Sequence, residues 1–125
     1  SSSLLVGCKS TQEVIYEDEK FSITMNEVIK EEGEDGVVIE VTVENKTNET
    51  ILIKGTRENG TLNGEEIICN FSFDVEPYEI IESDMYFCYR NGDELTEKDL
   101  VKGEVKVFMY DFMEINKPKE VELNI

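Results

Sequence analysis

The stretch Gly36-Val37-Val38-Ile39-Glu40-Val41-Thr42-Val43-Glu44-Asn45-Lys46-Thr47-Asn48-Glu49-Thr50-Ile51-Leu52-Ile53 decides how the chain is read. Val37, Ile39, Val41 and Val43 share one face, and Glu40, Thr42 and Glu44 share the other. Period two over β-favouring residues marks a strand with one buried and one wet face, the pattern of an antiparallel sheet. Each buried Val or Ile contributes roughly 1.5–3 kcal/mol, so four in register decide which face turns inward. Asn45 to Glu49 is rich in residues whose side chains bond the local backbone, and Ile51 and Ile53 resume the alternation. The stretch therefore reads as two strands joined by a polar turn.

Outward from it the pattern repeats. Residues 13–19 hold Val14, Ile15 and Tyr16 and suit a short edge strand. Phe21, Ile23 and Met25 alternate, and parity then breaks at Glu27-Val28-Ile29, which predicts a bulge, with a short helix over 25–31 as the rival. Gly33, Asp35 and Gly36 signal a turn with freedom for positive φ. Asn59-Gly60 and Asn63-Gly64 mark a loop. Ile67, Cys69, Phe71, Phe73 and Val75 alternate without a miss up to Pro77, as one strand. Ile81, Met85 and Phe87 share a face of the next strand. Thr96 with Asp99 suggests a capping box on a short helix. Val105, Val107 and Met109, then Val121, Leu123 and Ile125, complete the set. The expectation is an all-β, immunoglobulin-like antiparallel β-sandwich of seven or eight strands with at most one short helical turn.

At 125 residues the chain has the size of one domain, and 39% hydrophobic content supports a real core. The formal net charge is −17, spread over both halves, which argues against nucleic acid and anionic lipid as electrostatic partners. Histidine is absent, which removes the commonest general base and metal ligand. No apolar run is long enough for a transmembrane helix.

Near the start, Leu5-Val6-Gly7-Cys8 resembles a bacterial lipobox, a pattern that implies cleavage before the Cys and a lipid on its sulfur. The apolar segment before Cys8 is short, so residues 1–7 read as the remnant of a lipoprotein signal peptide. Residues 8–19 then form a tether and possible edge strand, and residues 20–125 the sandwich domain. The address implied is the outer face of the cell membrane.

Val41-Thr42-Val43-Glu44-Asn45-Lys46-Thr47-Asn48-Glu49-Thr50-Ile51 resembles the strand, Asn, polar turn, strand segment of domain-of-unknown-function lipoproteins of Gram-positive bacteria. The later order fits too: Asn63-Gly64, a strand ending Phe73-Asp74-Val75-Glu76-Pro77, a strand carrying Phe87, an acidic turn from Leu95 to Leu100, then Val105 to Asp111. The resemblance spans about residues 20–125 and implies an extracytoplasmic immunoglobulin-like sandwich on a lipid tether, with no reaction and no catalytic residues. Where that family usually has Gly after the Pro77 position, this chain has Tyr78.

Several groups of residues invite a chemical reading. Glu31, Glu32, Glu34 and Asp35 form a candidate cation loop, with 93–99 as a second acidic loop, although neither has EF-hand spacing. Tyr86, Phe108 and Tyr110, with Tyr89 and Phe112, fall opposite the core set and form a candidate interaction patch. Cys69 and Cys88 have opposite parity, which favours free thiols over a disulfide. Asn45, Asn48, Asn59 and Asn70 begin Asn-x-Ser/Thr triplets and read as turn residues rather than glycan acceptors. Met25, Met85 and Met109 read as core, with Met113 beyond them. The function expected is that of a non-enzymatic, lipid-anchored, monomeric envelope module without cofactor or bound metal, meeting the membrane through Cys8 and a protein or cell-wall partner. The alternative is a small-ligand or calcium-binding domain using the acidic loops.

Overall fold

In a computed structural model, residues 12–55, 60–101, 103–111 and 119–125 are described. They form ten strands and one short helix: β1 (Glu13–Glu17), β2 (Phe21–Ile29), β3 (Val37–Asn45), β4 (Ile51–Gly55), β5 (Gly60–Leu62), β6 (Glu65–Asn70), β7 (Ser72–Val75), β8 (Ile80–Tyr89), α1 (Glu97–Val101), β9 (Val105–Asp111) and β10 (Lys119–Leu123). Every pairing is antiparallel. One layer runs β1-β2-β3-β8-β6, the other β10-β9-β4-β7, and β5 joins them by pairing with both β6 and β9. The chain is an all-β, immunoglobulin-like sandwich.

The alternating residues read from the sequence are the core. Val37, Ile39, Val41, Val43, Ile67, Phe73, Val75, Met85 and Phe87 are all fully buried between the layers. Leu95 and Leu100, flanking and within α1, are buried with them. Thr96 and Asp99 cap that helix reciprocally: the Asp99 N–H donates to Thr96 Oγ1 (3.3 Å) and the Thr96 N–H to Asp99 Oδ2 (3.0 Å). The parity break in the second strand is a bulge at Asn26, and β2 runs on as strand to Ile29 with no helix over 25–31.

Three connections differ from their sequence reading. First, β3 and β4 are not a hairpin. β3 lies between β2 and β8, and β4 lies between β7 and β9 in the other layer. The polar segment after Asn45 is an arch between layers, and alternation alone cannot distinguish an arch from a hairpin, because it records the buried face and not the neighbour. Second, the long alternating strand from Glu65 is two strands. It pairs with β8 up to Asn70, crosses at Phe71, and pairs with β4 from Ser72. Parity survives the crossing because both halves bury the same set of residues between the layers. Third, β5 emerges from the predicted loop. Asn63 (φ 54°) and Gly64 (φ 84°) make a two-residue turn of the mirror-image type that suits hairpins, and they zip β5 onto β6. The split and this extra strand raise the count from eight to ten.

The strand at residues 13–17 is part of the core. Ile15 of β1 is fully buried, and its carbonyl accepts the Asn124 N–H (2.9 Å), which fastens the first strand to the chain beyond β10. Ile15 is the bulge residue of β1, unpaired with β2, so its carbonyl is available for that bond.

Candidate functional site

The arch after β3 is built around Asn45, which is wholly buried. Its Nδ2 donates to the carbonyls of Glu49 (2.7 Å), Val75 (3.0 Å) and Glu76 (3.0 Å). Its Oδ1 accepts from the Thr47 N–H (2.9 Å) and the Thr47 hydroxyl (2.8 Å), and its own N–H donates to Glu79 O (3.0 Å). One amide thus ties β3, the arch and the end of β7. Asn45 is structural and inaccessible. Asn48 is exposed, Asn70 lies within β6 rather than in a turn, and Asn59 lies outside the described residues.

Pro77 and Tyr78 occupy the middle of a turn closed by the Glu79 N–H on Glu76 O (3.0 Å). Tyr78 has φ 58°, the left-handed conformation for which glycine is suited, and the residue is 67% exposed. Its N–H donates to Thr47 O (3.1 Å), so the arch holds it there.

The candidate patch is divided by the fold. Tyr86 lies on β8 and Phe108 on β9, with their side chains on the outer faces of opposite layers. The side chain of Tyr110, and all of Phe112, lie outside the described residues. Two residues opposite the core set share a surface only when their strands share a layer. Tyr86 covers Gly36: a Cβ there would stand 2.4 Å from the ring, so Gly36 is required for close approach and not for positive φ. Partial burial, then the neighbouring Cys88 and the charges of Glu34 and Asp35, push the Tyr86 hydroxyl pKa up.

Glu31, Glu32, Glu34 and Asp35 are all exposed on the β2–β3 loop. Lys30 donates to Glu34 O and pairs with Glu94 (3.2 Å), while Asp35 O accepts the Leu95 N–H (2.8 Å), so the loop's bonds go to fastening it. Among the described residues no three carboxylates converge in a way that would hold a metal ion. In the second acidic loop, Asp99 is engaged in capping α1 and Asp93 in a local turn with Asn91.

Cys69 is buried and Cys88 half-buried, both as free thiols, consistent with their opposite parity on β6 and β8. Burial, with Cys88 nearby, pushes the Cys69 thiol well above its ordinary range. Met25, Met85 and Met109 are buried, and Met113 lies outside the described residues. No helix among the described residues is long and apolar enough to cross a membrane.

The outer face of the β2-β3-β8 layer, which sequence reasoning did not single out, carries Glu27 opposite Glu40 and Glu40 opposite Asp84, with Glu82 beside them. Desolvation on the sheet face, then the charges of Glu27, Asp84 and Glu82, hold the Glu40 carboxyl above the usual carboxylate range. Like charges directly opposed across strands are destabilising. The signal was present as Glu at alternate positions, but its convergence depends on strand order.

No protein-family model matches the chain, and no curated protein matches it significantly. Among solved structures, a FixG-related protein from Vibrio parahaemolyticus is similar at 17% identity and TM-score 0.47, covering 84% of this chain and 94% of that one. The yeast GGA1 GAE domain is similar at 10% identity and TM-score 0.39, covering 90% and 95%.

Proposed function

We propose that the chain is a non-enzymatic binding or structural module of the bacterial cell envelope, anchored through a lipid on Cys8 to the outer face of the membrane. The observation that carries this reading is the Leu5-Val6-Gly7-Cys8 motif placed close before the first strand. Four residues separate Cys8 from Glu13, where β1 begins. Fully extended, that segment spans at most roughly 18 Å, so an anchored domain would stand close to the bilayer. A chain with net charge −17 beside an anionic surface is held there only by the anchor, not by electrostatics. Stable anchoring needs more than one acyl chain, at roughly 0.8 kcal/mol per buried methylene, which a diacylglyceryl group supplies. The binding role rests on surfaces: an arch and turn that hold Tyr78 exposed, and sheet faces dense in carboxylates.

Expression with its signal sequence in a Gram-positive host tests the proposal. Cys8 should carry a diacylglyceryl mass, the protein should partition into detergent, and Cys8→Ser should release it into the medium. A protein released by intact cells with Cys8 unmodified would overturn the anchor.

A further inference from the structure

We infer that the N-terminal half of β8 is a docking edge for an extended, basic peptide segment of a partner protein, which joins the sheet as an added strand. The inference rests on the reading of the chain as a binding module and supplies its partner class. It does not depend on the anchor at Cys8.

The edge arises from the layer crossing at Phe71. β8 pairs with β3 from Ile80 to Phe87, but β6 covers its other side only from Tyr86 to Tyr89. The chain then leaves for β4, and among the described residues no strand pairs with the outer edge of Ile80 to Met85. Two bonds settle which backbone groups face that opening. The Asn45 N–H donates to Glu79 O, which points the odd-numbered residues of this strand toward β3. The Arg90 N–H donates to Glu66 O, which points the even-numbered residues toward β6. In an antiparallel strand the N–H and C=O of one residue point the same way and alternate along the chain. Ile80, Glu82 and Asp84 therefore present their N–H and C=O groups to the open side, in the spacing that a further strand requires.

The side chains specify the occupant. Ile80 is 60% exposed, and Glu82 and Asp84 are exposed. From Gly60 to Tyr89 the chain has no Lys or Arg, and the edge strand itself carries Glu82 and Asp84, with Glu79 just before it. Natural edges are commonly guarded by lysine, a bulge or proline. Here the guards are carboxylates, which act selectively. A second copy pairing antiparallel about Glu82 would set Glu82 against Glu82 and Asp84 against Ile80, which is unfavourable. A strand with Lys or Arg opposite Glu82 and Asp84 and an apolar residue opposite Ile80 turns the same charges into cross-strand pairs. Run antiparallel, that partner reads basic-x-basic-x-apolar. Its x residues would face the half-buried Ile81 and Ser83 on the inner side.

The test uses the full chain and a labelled peptide centred on Lys-Val-Lys-Val-Ile, with Glu-Val-Glu-Val-Ile as its charge-reversed counterpart. The basic peptide should bind and slow amide exchange at Ile80, Glu82 and Asp84 at least about tenfold, and rising salt should weaken it. Methylating the backbone nitrogens of its two Lys should abolish binding, because those N–H groups complete the ladder. The double variant Glu82→Lys/Asp84→Lys, whose exposed side chains leave the core intact, should lose the basic peptide and gain the acidic one. The inference is overturned if no binding occurs at millimolar peptide, if the methylated peptide binds equally well, if protection appears elsewhere, or if β8 pairs with a second copy. An acylated protein that ignores the peptide defeats this inference and leaves the anchor standing.

Discussion

The sandwich has two sides on which its layers meet, and they are closed by different means. On one side β1 and β10 meet through the chain itself: the bulged Ile15 gives its carbonyl to Asn124 and its side chain to the core. On the other, β5 ladders to both β6 and β9, but β7 and the first half of β8 face each other without a shared ladder and are tied at their foot by the buried Asn45 amide and the Tyr78 N–H on Thr47 O. A seam closed by backbone survives most side-chain changes. The stretch of the other side that lacks a ladder leans on one side chain, Asn45.

The largest effect should come from Asn45. Asn45→Asp retains the size and the acceptor facing Thr47 but removes both donors and sets a buried carboxyl against three carbonyls. Loss of more than about 3 kcal/mol is expected in denaturant unfolding at neutral pH. The sign with pH follows: the buried carboxyl would have its folded pKa raised, so the variant regains stability as pH falls and the acid becomes a donor. A variant equally unstable at pH 4 and pH 7 would contradict this account of the open side.

Ile15→Ala strikes the closed side. It leaves the Asn124 bond to the backbone in place and removes a fully buried side chain, with an expected loss of about 2–4 kcal/mol. Amide exchange should then quicken in β1 and β10 and not at the Asn45 arch.

Tyr16, near the same seam, donates to Asp18 Oδ2 (2.7 Å), and burial, then that bond and charge, raise its pKa above the ordinary 10.0. A phenol that holds its proton more tightly when folded contributes stability below pH 10 that is lost as pH rises further. Tyr16→Phe should cost about 1 kcal/mol at neutral pH and flatten the decline above pH 10. An unchanged alkaline slope would assign that decline to another group, the buried Cys69 thiol first.

Tyr78→Gly should stabilise the protein by roughly 1 kcal/mol, because it relieves a left-handed residue other than glycine in a turn already shaped for one. The smallest change should be Glu40→Gln, which removes one of four opposed carboxylates and raises the melting temperature slightly at low salt and not at high salt.

The two sides also separate what was legible in the sequence from what was not. The buried face of β3, β9 and β10 was visible as alternation, and so were the Thr96–Asp99 cap and the bulge in β2. These are local matters of parity and spacing. Partner choice was not visible. The Val37–Val43 alternation suits a hairpin with Ile51–Ile53 as well as an arch to the other layer, and strand pairing separates the two. Cys69 through Val75 hides its crossing because both layers bury the same parity. Tyr86 and Phe108 looked like one patch because both oppose the core, yet the outer faces of two layers point away from each other. The open edge of β8 is likewise a property of strand order and leaves no mark in the residues that form it, apart from thirty positions without a basic side chain.

The bond between Asn124 and Ile15 joins the beginning of the fold to its far end. A chain delivered with its N-terminus leading, from a ribosome or through a membrane pore, presents β1 first and must wait for the residues that fasten it. During that interval Ile15 lacks its final neighbours, and β1 cannot close on the far end of the fold until Asn124 has emerged.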